Sequence, residues 1–289
     1  LARRRILGLG ALLLGGCGLG GDRNLEGPDA PSAAPLPTRP QVAWVFGSGG
    51  PRGFVHLGVI QALQQLGLRP DVIVGASVGA FVGTLCAAGL PAAELRRLAL
   101  DTPPWTLLGW SQATPGLLNG RPLAQFVNQQ LDDRVLQALP TPMVCAVQRL
   151  RAGAVIGFNR GDAGVAVQAA SAIEGRFAPV RIRGELYADA DLAMPLPVRL
   201  ARGLGAVRVL AVDASAHEER APAGAEAYRE ADLRKRALTR PDADAADLLL
   251  HPDLGYWAGV DREYRGRLIG IGYRDTLAQA PALRALHAR

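Results

Sequence analysis

An α/β architecture, with a mainly parallel sheet covered on both faces, is predicted by three features of the chain. Short apolar runs recur, each near a stretch with helical spacing. The runs are apolar at consecutive positions, as strands buried on both faces require. Two of them end in small residues that lead straight into a helical repeat, the order that βαβ units impose.

Residues 41–46 form the first run and stop at a glycine cluster, which reads as a buried strand. Across 53–66, Val55, Val59, Ala62, Leu63 and Leu66 recur at helical spacing. Residues 71–74 give a second strand and 78–88 an apolar helix stopped by Gly89. Pro91 opens a helix carrying Leu95, Leu98 and Leu100. The stretch 102–120 breaks the pattern with Pro103-Pro104, Trp105 and Trp110, and reads as a mobile segment with exposed apolar surface. Residues 143–147 and 154–158 read as strands joined by a tight turn at 151–153, and 207–213 and 247–251 as two more.

The first forty residues divide differently. Arg3-Arg4-Arg5 is a basic region and 6–14 a short apolar one, too short to span a bilayer as a helix. This reads as a signal peptide over 1–16. Its end, Leu14-Gly15-Gly16-Cys17, resembles a bacterial lipobox, and the resemblance implies that Cys17 is acylated. Acyl chains there would anchor the chain to a leaflet without a transmembrane helix. Gly18 after the cysteine implies, by the same resemblance, export to the outer membrane. Residues 17–40, rich in Pro, Gly, Asp and Ala, read as a flexible lipid-anchored tether, and 41–289 as one domain.

Composition excludes several classes. The net charge is +6 over 289 residues, but the arginines are scattered, with no basic stripe interleaved with stacking aromatics. Nucleic acid is therefore not an expected partner; a mild positive balance suits an anionic membrane face or an ordinary solvated surface. Lys235 is the only lysine, a skew that reads as compositional bias. Cys86 and Cys145 lie in apolar surroundings and read as core residues; neither has metal-ligand spacing, so no metal or cofactor is called for.

Two turns carry chemistry. Gly75-Ala76-Ser77-Val78-Gly79 stands between a strand and a helix, where flanking small residues permit a sharp turn that presents a serine hydroxyl beside a helix N-terminus. A helix cap at Ser77 is the plainer reading of this motif. The second is Gly47-Ser48-Gly49-Gly50-Pro51-Arg52-Gly53, again between strand and helix, where backbone N–H groups can face an anion. It is not a dinucleotide fingerprint, since the third glycine position falls on Arg52, nor a P-loop, since no lysine follows. An oxyanion hole is the better use. Both loops follow consecutive strands, which a parallel sheet would set side by side.

These blocks together resemble the patatin-like phospholipases, particularly bacterial members. Gly47 to Gly53 followed by Phe54-Val55-His56-Leu57-Gly58-Val59 is similar to their start, and the serine elbow comes about two dozen residues later. Ala169-Ala170-Ser171-Ala172-Ile173, Phe177-Ala178-Pro179-Val180, Tyr187-Ala188-Asp189-Ala190-Asp191 and Pro195-Leu196-Pro197-Val198 match in order, and His251-Pro252-Asp253-Leu254-Gly255 looks familial too. The resemblance implies a three-layer α/β/α fold. It also implies a serine hydrolase of lipid carboxylic esters, with Ser77 as nucleophile and Asp189 as base. The oxyanion donors would be Gly49 and Gly50, with Gly47, Arg52 and Gly53 supporting the loop and Gly75 and Gly79 shaping the elbow. The chain departs at three places: Ser48 and Glu174 replace a usual glycine and proline, and Ala190-Asp191 replaces Gly-Gly or Gly-Ala after the aspartate. If Asp191 points inward, a second carboxylate beside Asp189 would raise one pKa; the alternative is that it faces solvent or caps a turn.

Rival readings are specific. A Ser–Asp–His triad in α/β-hydrolase order would use Asp213 with His251. Trp105 and Trp110 would be a lid or membrane contact, or core packing under a loop. From another class, a catalytically inactive lipid-anchored scaffold would keep the fold.

Overall fold

A computed structural model describes residues 23–288. A short helix α1 (Arg23–Glu26) precedes strand β1 (Val42–Phe46), which passes through a glycine loop and a 3-10 turn into α2 (Val55–Gln65). Then come β2 (Val72–Ala76), α3 (Val78–Ala87), α4 (Ala92–Asp101), a two-residue ribbon of β3 (Gly109–Trp110) with β4 (Leu118–Asn119), and α5 (Arg121–Gln130). The middle of the chain supplies β5 (Met143–Arg149), β6 (Ala154–Phe158), α6 (Ala163–Ala170), β7 (Val180–Ile182), β8 (Glu185–Asp189) and α7 (Val198–Gly203). Last are β9 (Arg208–Val212), α8 (Arg229–Asp244), β10 (Leu248–Leu250), α9 (Arg262–Ala278) and α10 (Ala280–His287).

The eight-stranded sheet runs β10-β9-β1-β2-β5-β8-β7, with β6 on β5 as well. Its first five strands are parallel, whereas β6 and β8 both pair with β5 antiparallel. Alternation along β1 shows the layers. Trp44 and Phe46 face one core with Leu57, Ile60 and Leu63 of α2, Leu85 of α3 and Ile269 of α9. Ala43 and Val45 face the other with Val198 and Ala201 of α7. This is the mainly parallel three-layer α/β fold that the apolar runs predict. Asp71 fixes how the first two strands start, its carboxylate accepting the Gln41 and Val42 amides at 2.9 and 2.8 Å.

Two expectations need correction. The tether read over 17–40 is docked on the domain from Arg23 onward. Ala30 is buried, Ser32 bridges to Arg160, and the Asp162 amide donates to the Asp29 carbonyl at 2.7 Å. After the short helix α1 the segment has no long regular element, but its backbone groups found partners on the loops beside β6 and β7. The part of the expected tether that holds Cys17, and the stretch 1–16 read as a signal peptide, lie outside the described residues. The stretch 102–120 is also tied down: Leu118 donates to the Arg176 carbonyl at 2.9 Å and accepts from the Ala178 amide at 2.8 Å. Its tryptophans nevertheless stay in solvent, Trp105 at 66% and Trp110 at 75% exposure, so they do not pack under a loop.

Candidate active site

The site forms where two strands end against each other. β5 pairs with β6 along one edge from Cys145 to Arg149. Its other edge is shared: β2 occupies it up to Ala76 opposite Ala146, and β8 occupies it from Val147, which stands opposite Asp189. β2 and β8 approach from opposite directions, so their carboxyl ends meet one residue apart in register, about 3.3 Å along the strand. Ser77 follows one end and Asp189 closes the other.

Local geometry turns both side chains inward. Ser77 holds φ 54° and ψ −126°, a conformation that costs a non-glycine residue about 1–3 kcal/mol. The turn is tight enough that a Cβ at Gly79 would lie 2.1 Å from the Phe46 carbonyl oxygen, and one at Gly75 2.4 Å from that of Gly79. The segment after α6 bridges the two residues: the Ala170 carbonyl accepts the Ser77 amide at 3.1 Å and the Ala172 carbonyl the Asp189 amide at 3.0 Å. That explains physically why the 169–173 block accompanies the elbow. Helix capping is not the role of Ser77, whose side chain makes no cap bond.

Asp189 is 2% exposed. Burial pushes its carboxyl up to about 7; the Ser77 hydroxyl acts against this as a hydrogen-bonding neighbour, the Asp191 charge reinforces it, and the Asp191 amide and Lys235 oppose it. Its Oδ1 accepts the Asp191 amide at 2.9 Å, while Oδ2 is buried with no hydrogen-bond partner among the described residues.

The glycine loop lies beside the elbow because β1 and β2 are neighbours, with Phe46 opposite Gly75. Its first two amides are structural: Gly47 donates to the Val212 carbonyl at 3.0 Å and Ser48 to that of Pro195 at 2.8 Å. Neither the Gly49 nor the Gly50 amide has a hydrogen-bond partner among the described residues. A Cβ at Gly49 would sit 2.9 Å from the Ala214 carbonyl oxygen, and Gly50 holds φ +52°. Arg52 supports the loop by donating to the Tyr256 carbonyl. Gly53 is pressed on Val78, the first residue of α3. Sequence reasoning gave His56 no role, yet its Nε2 lies 2.8 Å from the Gly47 carbonyl. That bond puts the ring proton on Nε2 and leaves the buried Nδ1 unprotonated, in keeping with a pKa that burial pushes down to about 4.

An apolar cavity of about 240 Å³ opens onto Ser77, walled by Phe54, Leu85, Leu98, Phe126 and Phe177 and continued to Leu108 of the 102–120 stretch. Cys86, half-buried against the core, and Cys145, buried within it, are free thiols, each pushed up to about 12 by burial. The rival triad is not assembled. His251 stacks on His217 at 3.9 Å, bonds to Ser215 and lies with Asp213 in a polar cleft that Ser77 does not line, so it has no contact with the elbow serine among the described residues. Asp191 faces neither solvent nor a turn alone: its carboxylate meets Ser48 and Lys235. Sequence reasoning missed this cluster, although a sole lysine was a signal for it.

A strand–serine–helix elbow meeting a buried carboxylate, next to a glycine loop, defines a class of α/β proteins built to bring a serine, an acid and backbone donors together. The chain belongs to the patatin-like phospholipase family, whose profile matches residues 44–202, from β1 past Asp189. An uncharacterized NTE family protein of Mycobacterium tuberculosis strain H37Rv is 34% identical over 181 residues, covering 62% of this chain and 50% of that protein. The lysophospholipase NTE1 of Coccidioides immitis is 29% identical over 197 residues, covering 63% of this chain and 12% of that one. The chain thus spans about half the length, or less, of these curated relatives. VipD from Legionella pneumophila shares the fold with a TM-score of 0.56 at 14% identity, over 87% of this chain and 70% of that chain.

The buried carboxyl gives a pH-dependent stability of known sign. The native state holds the Asp189 proton more tightly than the unfolded chain. Its contribution is therefore present at low pH and lost as pH rises from the ordinary 3.8 through about 7. Asp189→Asn keeps the shape but cannot ionise. Its stability relative to wild type, read from urea midpoints, is expected to rise between about pH 4 and pH 8 and then level off. A difference independent of pH would show that the buried carboxyl does not titrate in this range.

Proposed function

We propose that the protein is a serine acyl hydrolase that cleaves carboxylic esters of lipids, with Ser77 as nucleophile and Asp189 as base. The observation that carries this reading is the meeting of Ser77 and Asp189 at the shared edge of β5, at the mouth of an apolar cavity.

The chain's own groups suffice for both half-reactions. The Ser77 proton passes to the Asp189 carboxylate as the hydroxyl oxygen bonds to the ester carbonyl carbon. The Gly49 and Gly50 amides hold the oxygen that becomes negative, a site with fixed donors and no reorganisation cost. Collapse breaks the ester C–O bond, and the Asp189 proton leaves with the alcohol. Water then repeats the sequence on the acyl-enzyme, giving its proton to Asp189, which returns it to Ser77. The acyl chain occupies the apolar cavity. Because the base must be ionised, activity rises with pH through the titration of Asp189, near 7.

Turnover of a p-nitrophenyl acyl ester tests the reading. Ser77→Ala is expected to lose about 10³-fold or more in kcat and Asp189→Asn a comparable factor, with both proteins folded. If wild type and both variants were equally inactive on a broad ester panel, the family fold would serve here as a lipid-anchored scaffold.

The membrane is the proposed site of action. Trp105, Trp110, Leu108 and Val260 are exposed, and Leu108 and Val260 also line the cavity, so exposed apolar side chains stand at the edge of the space proposed for a lipid chain. Trp105→Ala with Trp110→Ala is expected to lower turnover of vesicle phospholipid about tenfold while leaving a short water-soluble ester unchanged. Equal losses on both substrates would refute an interfacial role. The anchor is proposed at Cys17, on the periplasmic face of the outer membrane. Cells given a fatty-acid analogue should label the wild-type chain and not Cys17→Ser, whereas an unlabelled, freely soluble wild type would defeat the anchor.

A further inference from the structure

Three residues that the mechanism leaves unused meet at one point. Lys235 on α8 donates from Nζ to the Ser48 hydroxyl oxygen at 2.6 Å and also contacts the Asp191 carboxylate. The Ser48 hydroxyl in turn donates to that carboxylate. Ser48 is 2% exposed and belongs to the glycine loop; Asp191 lies in the 3-10 turn just after β8. Positions 48, 191 and 235 are far apart in sequence, and the only lysine of the chain joins them.

Each partner is tied to one half of the site. The Asp191 amide donates to Asp189 Oδ1 at 2.9 Å, so holding the Asp191 side chain also holds the group that orients the proposed base. Ser48 directly precedes Gly49 and Gly50, and its own amide is fixed on Pro195. Helix α8 is itself fastened. The buried Asp242 carboxylate accepts the Arg199 amide at 2.7 Å and the Arg199 guanidinium at 2.9 Å, joining α8 to α7.

We propose that Lys235 is a positioning residue of the acyl-transfer site, clamping the oxyanion loop to the Asp189 turn and neutralising the second carboxylate beside the base. The proposal rests on the Ser77–Asp189 reading. Without Lys235, Asp191 would stand two residues from a buried carboxylate with only Ser48 for a partner, and like charges at that distance disfavour ionisation of the base. The charged groups acting on Asp189 are Asp191 from its own turn and Lys235 from α8, with the Ser77 hydroxyl as its neutral neighbour. Around Lys235, the polar cleft of about 370 Å³ beneath α8 is also lined by Asp213, His217, Glu218, Glu219, Asp232, Arg236, Arg240 and His251. Among them Asp232 is bonded to the Tyr256 hydroxyl, Arg236 to Glu218, and His217 to Glu219. The Lys235 ammonium is the cation that reaches the Asp191 carboxylate.

The test compares Lys235→Met, Lys235→Arg, Asp191→Gly and the Lys235→Met/Asp191→Gly double variant in the whole chain. The pH profile of kcat/KM is measured on a water-soluble ester. Lys235→Met is expected to move the acidic limb up by about one pH unit, lowering kcat/KM about fivefold at pH 7 and about tenfold well below it. Removing Asp191 in that background is expected to bring the limb back, and Lys235→Arg to keep it near wild type. Asp189 titration is read independently of turnover, from the stability of each variant against its Asp189→Asn counterpart across pH. The same shift in Lys235→Met, reversed in the double variant, supports the coupling even if no ester is turned over, an outcome that would instead sink the hydrolase reading. An unmoved titration in Lys235→Met, or a double variant no better than the single one, overturns the proposal. Should Lys235→Met fold poorly, Lys235→Gln carries the same comparison.

Discussion

The site depends on a shared strand edge. With β6 covering one edge of β5, β2 and β8 must divide the other, and they do so at the step between Ala146 and Val147. An antiparallel strand entering a parallel sheet normally runs beside its neighbour. Here it runs toward the end of one, so residues 77 and 189 become end-to-end neighbours. A single-residue slip of β8 would turn Asp189 to the opposite face, since side chains alternate with period two. The carbonyls of Ala170 and Ala172, holding the amides of Ser77 and Asp189, guard against that slip.

What the site costs is visible in its surroundings. Ser77 is held at a positive φ, Asp189 is a carboxyl out of water, and two amides of the glycine loop lack partners among the described residues. The support comes from neighbours bonded to the backbone: His56 on the Gly47 carbonyl, Arg52 on that of Tyr256, and Asp71 on the start of β1. A strained serine and a buried carboxyl thus stand together where an acyl group would react.

Several pieces were legible because local chemistry made them so. The elbow glycines, the glycine loop and the apolar strands announce themselves through residue size and spacing, and β1, β2, β5, β6, β9 and β10 fall close to where the apolar runs put them. Others left little local trace. α8 is dominated by charged residues and carries Pro241 inside it, so neither periodicity nor breaker rules would mark it as one helix. β7 and β8 are short and mix Arg and Glu with apolar residues. Residues 23–40 have the composition of a linker, yet they are held by backbone bonds that composition does not encode.

The sequence alone determined the fold class, the elbow at Ser77 and the glycine loop, because each is a local demand on backbone shape that only certain residues meet. Through its resemblance to a family it also nominated Asp189. Tertiary structure decided how these parts meet: that β2 and β8 abut on β5, that Asp191 turns toward Ser48 and Lys235, and that His251 belongs to a separate cluster. Those outcomes follow from strand order and from long-range hydrogen bonds between distant segments, and no spacing along the chain contains them.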